Sequence, residues 1–304
     1  MGRVIVVGSI NMDVVAQADR LPRPGETVFG KTVSLIPGGK GANQAVAARR
    51  SGVETTMVGA LGSDSFADPL FSFLEEEGLA ISLVERVSGP TGTALISLDA
   101  AGENSIVIVP GANSQVDPKV VTKIALTSND VVLIQNEVPE AVNAAAVEHA
   151  QRAGATTVLN LAPFRPTSEN LLNAIDYLVV NETEFAALID EDPEKMSPHR
   201  VTGLLAEGAG FARNVVVTLG AEGVSGRLNS SVTRIPGHRV SVVDTTGAGD
   251  SFCGTLGAAL ARGSSSELAL AYANAAAALS VQKLGAGPSM PAGTEVDEFL
   301  RREP

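Results

Sequence analysis

Short apolar runs rich in β-branched residues recur along this chain, at Val4–Val7, Thr56–Val58, Val131–Ile134, Thr156–Leu159, Leu178–Val180 and Asn214–Leu219. Between most of them apolar residues repeat at helical spacing, which predicts helices at Ala42–Ser51, Phe66–Glu77, Pro139–Ala153, Glu182–Ile189, Val201–Ala212, Ala248–Arg262 and Ser266–Lys283. Runs that are apolar throughout suit strands buried on both faces, and strands alternating with helices are βαβ units. The chain is therefore expected to fold as an α/β protein, with a mostly parallel central sheet between layers of helices. At 304 residues it suffices for one large domain or about two smaller ones.

Two stretches break the rhythm. Asp13 to Pro37 carries Pro22, Pro24, Gly25, Gly30 and Pro37, and Gly89 to Gly111 holds strand-like runs at Thr93–Leu98 and Ser105–Val109. Their strands form either a small second sheet over the main one or edge hairpins without a role, and pattern alone leaves both open.

Composition narrows the partners. With 34 acidic against 22 basic residues, a net charge of -12 and no Lys/Arg block, neither nucleic acid nor an anionic membrane is an expected partner. Aromatics at 4% and the lack of Trp leave little for stacking bases. The single cysteine, Cys253, lies in the apolar stripe of its predicted helix and reads as core. Val4–Val7 is too short for a signal sequence, and the Ala-rich stretch from Leu268 to Val281 falls short of a membrane span, so a cytoplasmic protein is expected.

The chemistry gathers where predicted strands end. Asp244-Thr245-Thr246-Gly247-Ala248-Gly249-Asp250 opens a helix with two glycines and a carboxylate. Unpaired amides and the helix dipole make such a turn an anion cradle, and the same residues also suit a plain helix cap. Gly8-Ser9-Ile10-Asn11-Met12-Asp13 ends the first strand; Asn11 and Asp13 alternate with apolar residues and face one way. A carboxylate beside an amide can hold adjacent sugar hydroxyls, or else bond its own backbone in a turn. Gly38-Gly39-Lys40-Gly41-Ala42-Asn43-Gln44 is a second glycine-rich helix start without P-loop spacing. Glu137 follows the third run and suits a substrate hydroxyl or a helix N-terminus. Asn181-Glu182-Thr183-Glu184 suits a helix cap or a water-coordinated Mg²⁺ on a nucleotide, and Thr218 to Gly223 adds a third glycine turn.

These blocks, in this order, resemble the ribokinase-like (PfkB) sugar kinase family along nearly the whole chain. The resemblance implies a ribokinase-like three-layer sandwich, a single kinase domain over 1–304 with a small β-sheet lid from about 13–37 and 89–111. It implies an ATP-dependent phosphotransferase acting on an alcohol group, O5 of D-ribose, to give ribose 5-phosphate. In that reading Asp250 is the general base and Gly247, Ala248 and Gly249 form the anion hole. Asn11, Asp13, Gly39, Lys40, Asn43 and Glu137 hold the sugar. ATP lies along Asn181, Glu184, Thr218, Gly220, Glu222, Gly223, Gly249 and Asn274, with Mg²⁺ near Asn181 and Glu184. An activating K⁺ is implied at Asp244, Thr246, Ser280, Lys283, Gly285 and Ser289, and the lid implies a homodimer.

Rival readings are a family kinase for another sugar or a nucleoside, and a non-catalytic sugar sensor that keeps the fold. The intact Gly247-Ala248-Gly249 turn with Asp250 argues against the sensor. A dinucleotide oxidoreductase lacks its Gly-x-Gly-x-x-Gly fingerprint after the first strand.

Overall fold

A computed structural model of the protein describes residues 2–208 and 211–302. In chain order the strands are β1 (Val4–Val7), β2 (Asn11–Ala18), β3 (Gly30–Gly38), β4 (Thr55–Leu61), β5 (Ala80–Arg86), β6 (Gly92–Leu98), β7 (Asn104–Val109), β8 (Val131–Gln135), β9 (Thr156–Asn160), β10 (Tyr177–Asn181), β11 (Asn214–Thr218), β12 (Val224–Leu228) and β13 (Ser231–Ile235). The α-helices are α1 (Lys40–Arg50), α2 (Ala67–Glu76), α3 (Glu140–Ala153), α4 (Glu169–Ala174), α5 (Glu182–Leu188), α6 (Pro198–Glu207), α7 (Ala248–Ala261), α8 (Ser266–Ser280) and α9 (Gly293–Arg302). Part of the helix expected at 201–212, residues 209 and 210, lies outside the described residues, as do positions 1, 303 and 304 of the expected domain.

Nine strands form one sheet in the order β13-β12-β11-β10-β9-β8-β1-β4-β5. From β11 to β5 all neighbours are parallel, and β12 and β13 extend the sheet antiparallel at one edge. Successive residues of a strand point to opposite faces, so a fully apolar strand feeds two cores at once. Val4 and Val6 pack with Leu133, Val158, Val46, Phe252 and Leu256 on one face. Ile5 and Val7 pack with Ile134, Leu159, Val142, Phe185 and Leu205 on the other. The result is the expected three-layer α/β sandwich.

The second sheet has four strands in the order β3-β2-β6-β7. It is mixed: β2 pairs antiparallel with β3 and parallel with β6, and β7 closes it antiparallel. This is the small β-sheet lid. The reading of Asn11 and Asp13 as turn residues is superseded, because both lie in β2. Elements without a sequence expectation are β5, β12, β13, α4 and α9.

Two features of the fold bring the polar residues together. Register pairs Gln135 with Asn160 and Asn181 with Thr218, so four strands end in polar groups along one edge. On one face α1 and α7 pack closely, since Gly254 has no side chain: a Cβ there would lie 2.6 Å from Ala47 Cβ and 3.0 Å from Ala48 N. Close packing sets the N-terminal half of α1 against the first turn of α7. Among the described residues no helix is long and apolar enough to cross a membrane.

Candidate active site

The first turn of α7 is built around two glycines with different reasons for being there. Gly247, the N-cap, has φ 79°, and a Cβ on it would meet Ala286 Cα at 2.8 Å. Backbone conformation and space both exclude a side chain. A Cβ on Gly249 would meet nothing within 4 Å. The protein itself leaves that space open beside the turn. Ala248 N donates to Thr245 O and Ser251 N to Gly247 O. The Gly249 and Asp250 amides have no partner among the described residues, as the start of a helix requires.

Asp250 is buried at this turn and held by α1. Asn43 Nδ2 donates to Asp250 Oδ2 and Gln44 Nε2 to Oδ1, each at 3.0 Å. The pairing gives the amide pair that closes the second glycine-rich block a structural role. Asn43 Oδ1 is buried without a protein partner, leaving an acceptor to spare.

On the lid side, Asn11 Oδ1 accepts from Asn113 Nδ2 at 2.7 Å, and Asn113 also brackets Ile10, accepting from its N–H and donating to its carbonyl. Asn113 had no sequence signal. Burial pushes the Asp13 carboxyl up to about 7, with Glu137 and Asp250 adding like charge nearby. Glu137 Oε2 accepts from the Ser9 hydroxyl and from the Lys40 amide at 3.1 Å. Glu137 thus closes the N-terminus of α1, where the N-cap Gly39 has no side chain to do so. One oxygen of Glu137 does this, and its side chain also lines a cavity of about 320 Å³ with Asn11 and Asn113. Burial works against the charge of Lys40, but Asp250, Glu137 and Glu184 outweigh it and raise its pKa above the usual lysine value. Lys40 lines the cavity on the far side of Asp250, with Asn181 and Glu184.

That cavity, about 240 Å³, joins a larger one of about 790 Å³, and Thr218, Thr245 and Gly249 line both. Thr218, Gly220, Glu222, Gly223, Gly249 and Asn274 all border the larger space; the segment from Gly237 to Val242, which also borders it, was not expected. Some of these side chains already have protein partners. Asn274 Nδ2 donates to Pro236 O at 2.9 Å, and Glu222 pairs with Arg234. Asn181 and Glu184 form a reciprocal capping box on α5: Asn181 Oδ1 accepts from Glu184 N, and Glu184 Oε2 from Asn181 N. Burial raises the Glu184 carboxyl despite that backbone bond.

Of the six residues expected around a monovalent cation, Asp244 and Thr246 lie before α7, Ser280 is the last residue of α8, and Lys283, Gly285 and Ser289 follow it. Val243 and Asp244 amides both donate to Val281 O, and Asp244 Oδ2 accepts from Gly285 N at 2.8 Å while Oδ1 accepts from Thr246 N. The Ser289 hydroxyl donates to Ala286 O, and Lys283 pairs with Glu295, its ammonium turned to solvent-exposed acid. Among the described residues no group of three or more His, Cys, Asp or Glu forms a metal cluster.

Known proteins share this fold. Residues 1–293 match the family described as pfkB family carbohydrate kinase. The chain is 38% identical to the ribokinase of Bacillus subtilis (strain 168), covering 99% of this chain and all of that protein. Thermotoga maritima ribokinase superposes with a TM-score of 0.85 at 35% identity, covering 99% of this chain and 100% of that one. The Arabidopsis thaliana ribokinase complexed with ribose and ATP superposes with a TM-score of 0.85 at 34% identity, covering both chains fully. This chain belongs to the pfkB family of carbohydrate kinases.

Proposed function

We propose that the protein transfers the γ-phosphoryl group of ATP to O5 of D-ribose, giving ribose 5-phosphate and ADP. The observation that carries the reading is the position of Asp250. Its carboxylate lies on the anion-cradling turn of α7, at the wall of the cavity that leads into the large one, and is held by α1 from the sugar side. Likeness to a ribokinase that binds ribose and ATP supports the two substrates.

Asp250 takes the proton from the sugar hydroxyl as its oxygen attacks the γ-phosphorus. A P–O bond forms, the bond to the bridging oxygen breaks, and ADP leaves with the electron pair. The expected anion hole, Gly247 to Gly249, receives the charge on the transferred group in the open space beside Gly249. The Ala248 amide is engaged by Thr245 O, so the donors are the Gly249 amide and that of the adjoining Asp250. Lys40, expected among the sugar contacts, lines the small cavity with Asp250, where its positive charge also adds to that stabilisation. Asn11, Asp13, Asn43 and Glu137 hold the sugar hydroxyls, and Gly39 lets the backbone approach them.

ATP occupies the large cavity along Thr218, Gly220, Glu222, Gly223 and Asn274. Asn181 and Glu184 at the small cavity would hold Mg²⁺, since Glu184 keeps one carboxylate oxygen outside its capping box. The ion would neutralise phosphate charge. K⁺ would be held by the segments that Asp244 ties together, mainly through backbone carbonyls among Asp244, Thr246, Ser280, Lys283, Gly285 and Ser289, oxygen ligands without a dense negative charge. It would hold the loop beside the anion turn in place.

The lid leaves Val33, Leu35, Leu95 and Val107 exposed, an apolar surface that supports a homodimer through this sheet. Use of ATP and a single buried cysteine support a cytoplasmic setting.

The test is ADP release from Mg-ATP with ribose, deoxyribose, fructose and adenosine, each with and without K⁺. Ribose-dependent turnover that K⁺ raises is expected. Turnover with another acceptor alone would overturn the sugar assignment, and binding of ribose without turnover under any condition would favour the sensor.

A further inference from the structure

Behind Asp250 lies a run of buried side-chain amides that none of the sugar or nucleotide assignments uses. Gln44, with no exposed surface, sits at its centre. Its Nε2 donates both hydrogens, to Asp250 Oδ1 at 3.0 Å and to Asn160 Oδ1 at 3.1 Å. Its Oε1 accepts from Gln135 Nε2 at 2.8 Å. Gln135 and Asn160 are register partners at the ends of β8 and β9, so the sheet edge presents the two amides side by side to α1.

The direction of this run is set by groups that cannot reverse. Asn160 Nδ2 donates to the Val179 carbonyl, which can only accept. Asn160 must then turn Oδ1 towards Gln44, and Gln44 must turn its NH₂ towards both Asn160 and Asp250. A flipped Gln44 would set its carbonyl oxygen against a carboxylate oxygen and an amide oxygen together, two repulsions in a buried site. The backbone of β10 thus dictates which face of the Gln44 amide meets the base, and the plane of the Asp250 carboxylate follows.

We propose that Gln44 is a positioning residue for proton transfer. It fixes the orientation of Asp250 so that the carboxylate is aimed at the acceptor hydroxyl, and it touches neither sugar nor nucleotide itself. The inference rests on the reading of Asp250 as general base. A base misplaced by about 1 Å can cost on the order of 10²-fold in rate. Loss of Gln44 therefore appears in kcat and leaves the sugar KM little changed.

The test is a double-mutant cycle with Gln44→Leu and Asp250→Asn, read as kcat and sugar KM under saturating Mg-ATP. Gln44→Leu alone is expected to lower kcat about 10²-fold with KM within a few-fold of wild type. In the Asp250→Asn background the same change is expected to have almost no further effect, because there is no base left to position. A full 10²-fold loss in that background would overturn the proposal, since Gln44 would then be acting through something else. Near-normal kcat for Gln44→Leu in an otherwise active enzyme would overturn it too. Near-normal kcat for Asp250→Asn would instead strike the general-base reading. Gln44→Glu, which keeps the size of the side chain, covers the case in which Leu at 44 prevents folding. It puts a second carboxyl beside Asp250, and the two must share a proton, so the pH at which kcat rises is expected to move up. An unmoved pH profile in Gln44→Glu would contradict the proposal.

Discussion

Gly38 lies directly against the carboxyl group of Asp13: a Cβ at position 38 would stand 2.5 Å from Asp13 Cγ and 2.6 Å from Oδ1. The last residue of β3 is thus kept bare so that an acid on the neighbouring strand can turn inward. Gly38→Ala is expected to displace that carboxylate. Hydrogen bonds to a charged group are worth about 1.5–3 kcal/mol, so the ribose KM should rise roughly 10- to 100-fold with a smaller change in kcat. Steady-state kinetics of the variant check this.

Asp13 also gives the proposed sugar site a pH dependence. The form that accepts two hydroxyl hydrogens is the carboxylate, and burial together with Glu137 and Asp250 holds the group at about 7. From pH 6 to pH 8 the carboxylate fraction rises roughly tenfold, and the ribose KM should fall by about that factor. Stability runs the other way. A carboxyl raised in the folded state binds more protons there than in the unfolded chain, so its contribution declines as pH rises from about 4 to about 7. Asp13→Asn should flatten both trends, measurable by kinetics and by thermal melting across the same range.

The two glycines of the anion turn should separate on substitution. Gly247→Ala forces a side chain into a left-handed conformation and into Ala286, so its melting temperature should drop. Gly249→Ala enters open space, so its melting temperature should stay close to wild type. Its Cβ stands where the transferred phosphoryl is proposed to sit, and the loss of one such stabilising contact typically costs about 10²–10³-fold in kcat. Parallel melting and kinetic measurements distinguish the two.

Asp244 bridges the proposed cation loops. Burial alone would raise its carboxyl, but hydrogen bonds from Thr246 and Gly285 outweigh this and lower its pKa. Asp244→Ala frees both loops, and the ratio of turnover with K⁺ to turnover without it should fall towards one. A titration of activity against K⁺ in the two proteins reads this directly.

Much of this arrangement was legible in the residues themselves, for identifiable reasons. Runs such as Val4–Val7 and Val131–Ile134 are apolar throughout and stand out against helical spacing, so the parallel sheet was readable, and polar residues such as Gln135 that close the runs marked its edge. β5 has a single buried residue, Val84, and mixes polar with apolar positions, while β12 carries Gly226 and Arg227, so neither forms an apolar run. Around the site, glycine turns and a helix-opening acid are local patterns. The Asn181–Glu184 spacing carried the capping-box signal, since Asn followed three residues later by Glu is what a reciprocal cap requires. The support for Asp250 is different in kind. Gln44 reaches it across 206 residues of sequence, and Asn113 reaches Asn11 across 102. Buried amides have neither period nor motif; only packing of α1 on α7, and of the lid on the sheet edge, reveals what they hold.

The most direct test of the account is Asp250→Asn, assayed for ribose-dependent ADP formation and, separately, for ribose binding by calorimetry. Asparagine keeps the size of the side chain but cannot take the hydroxyl proton, and general-base help is worth about 10²–10⁴-fold. The account predicts a loss of kcat in that range with ribose affinity within a few-fold of wild type. Turnover near wild type would contradict it, because the proton would then be leaving by another route.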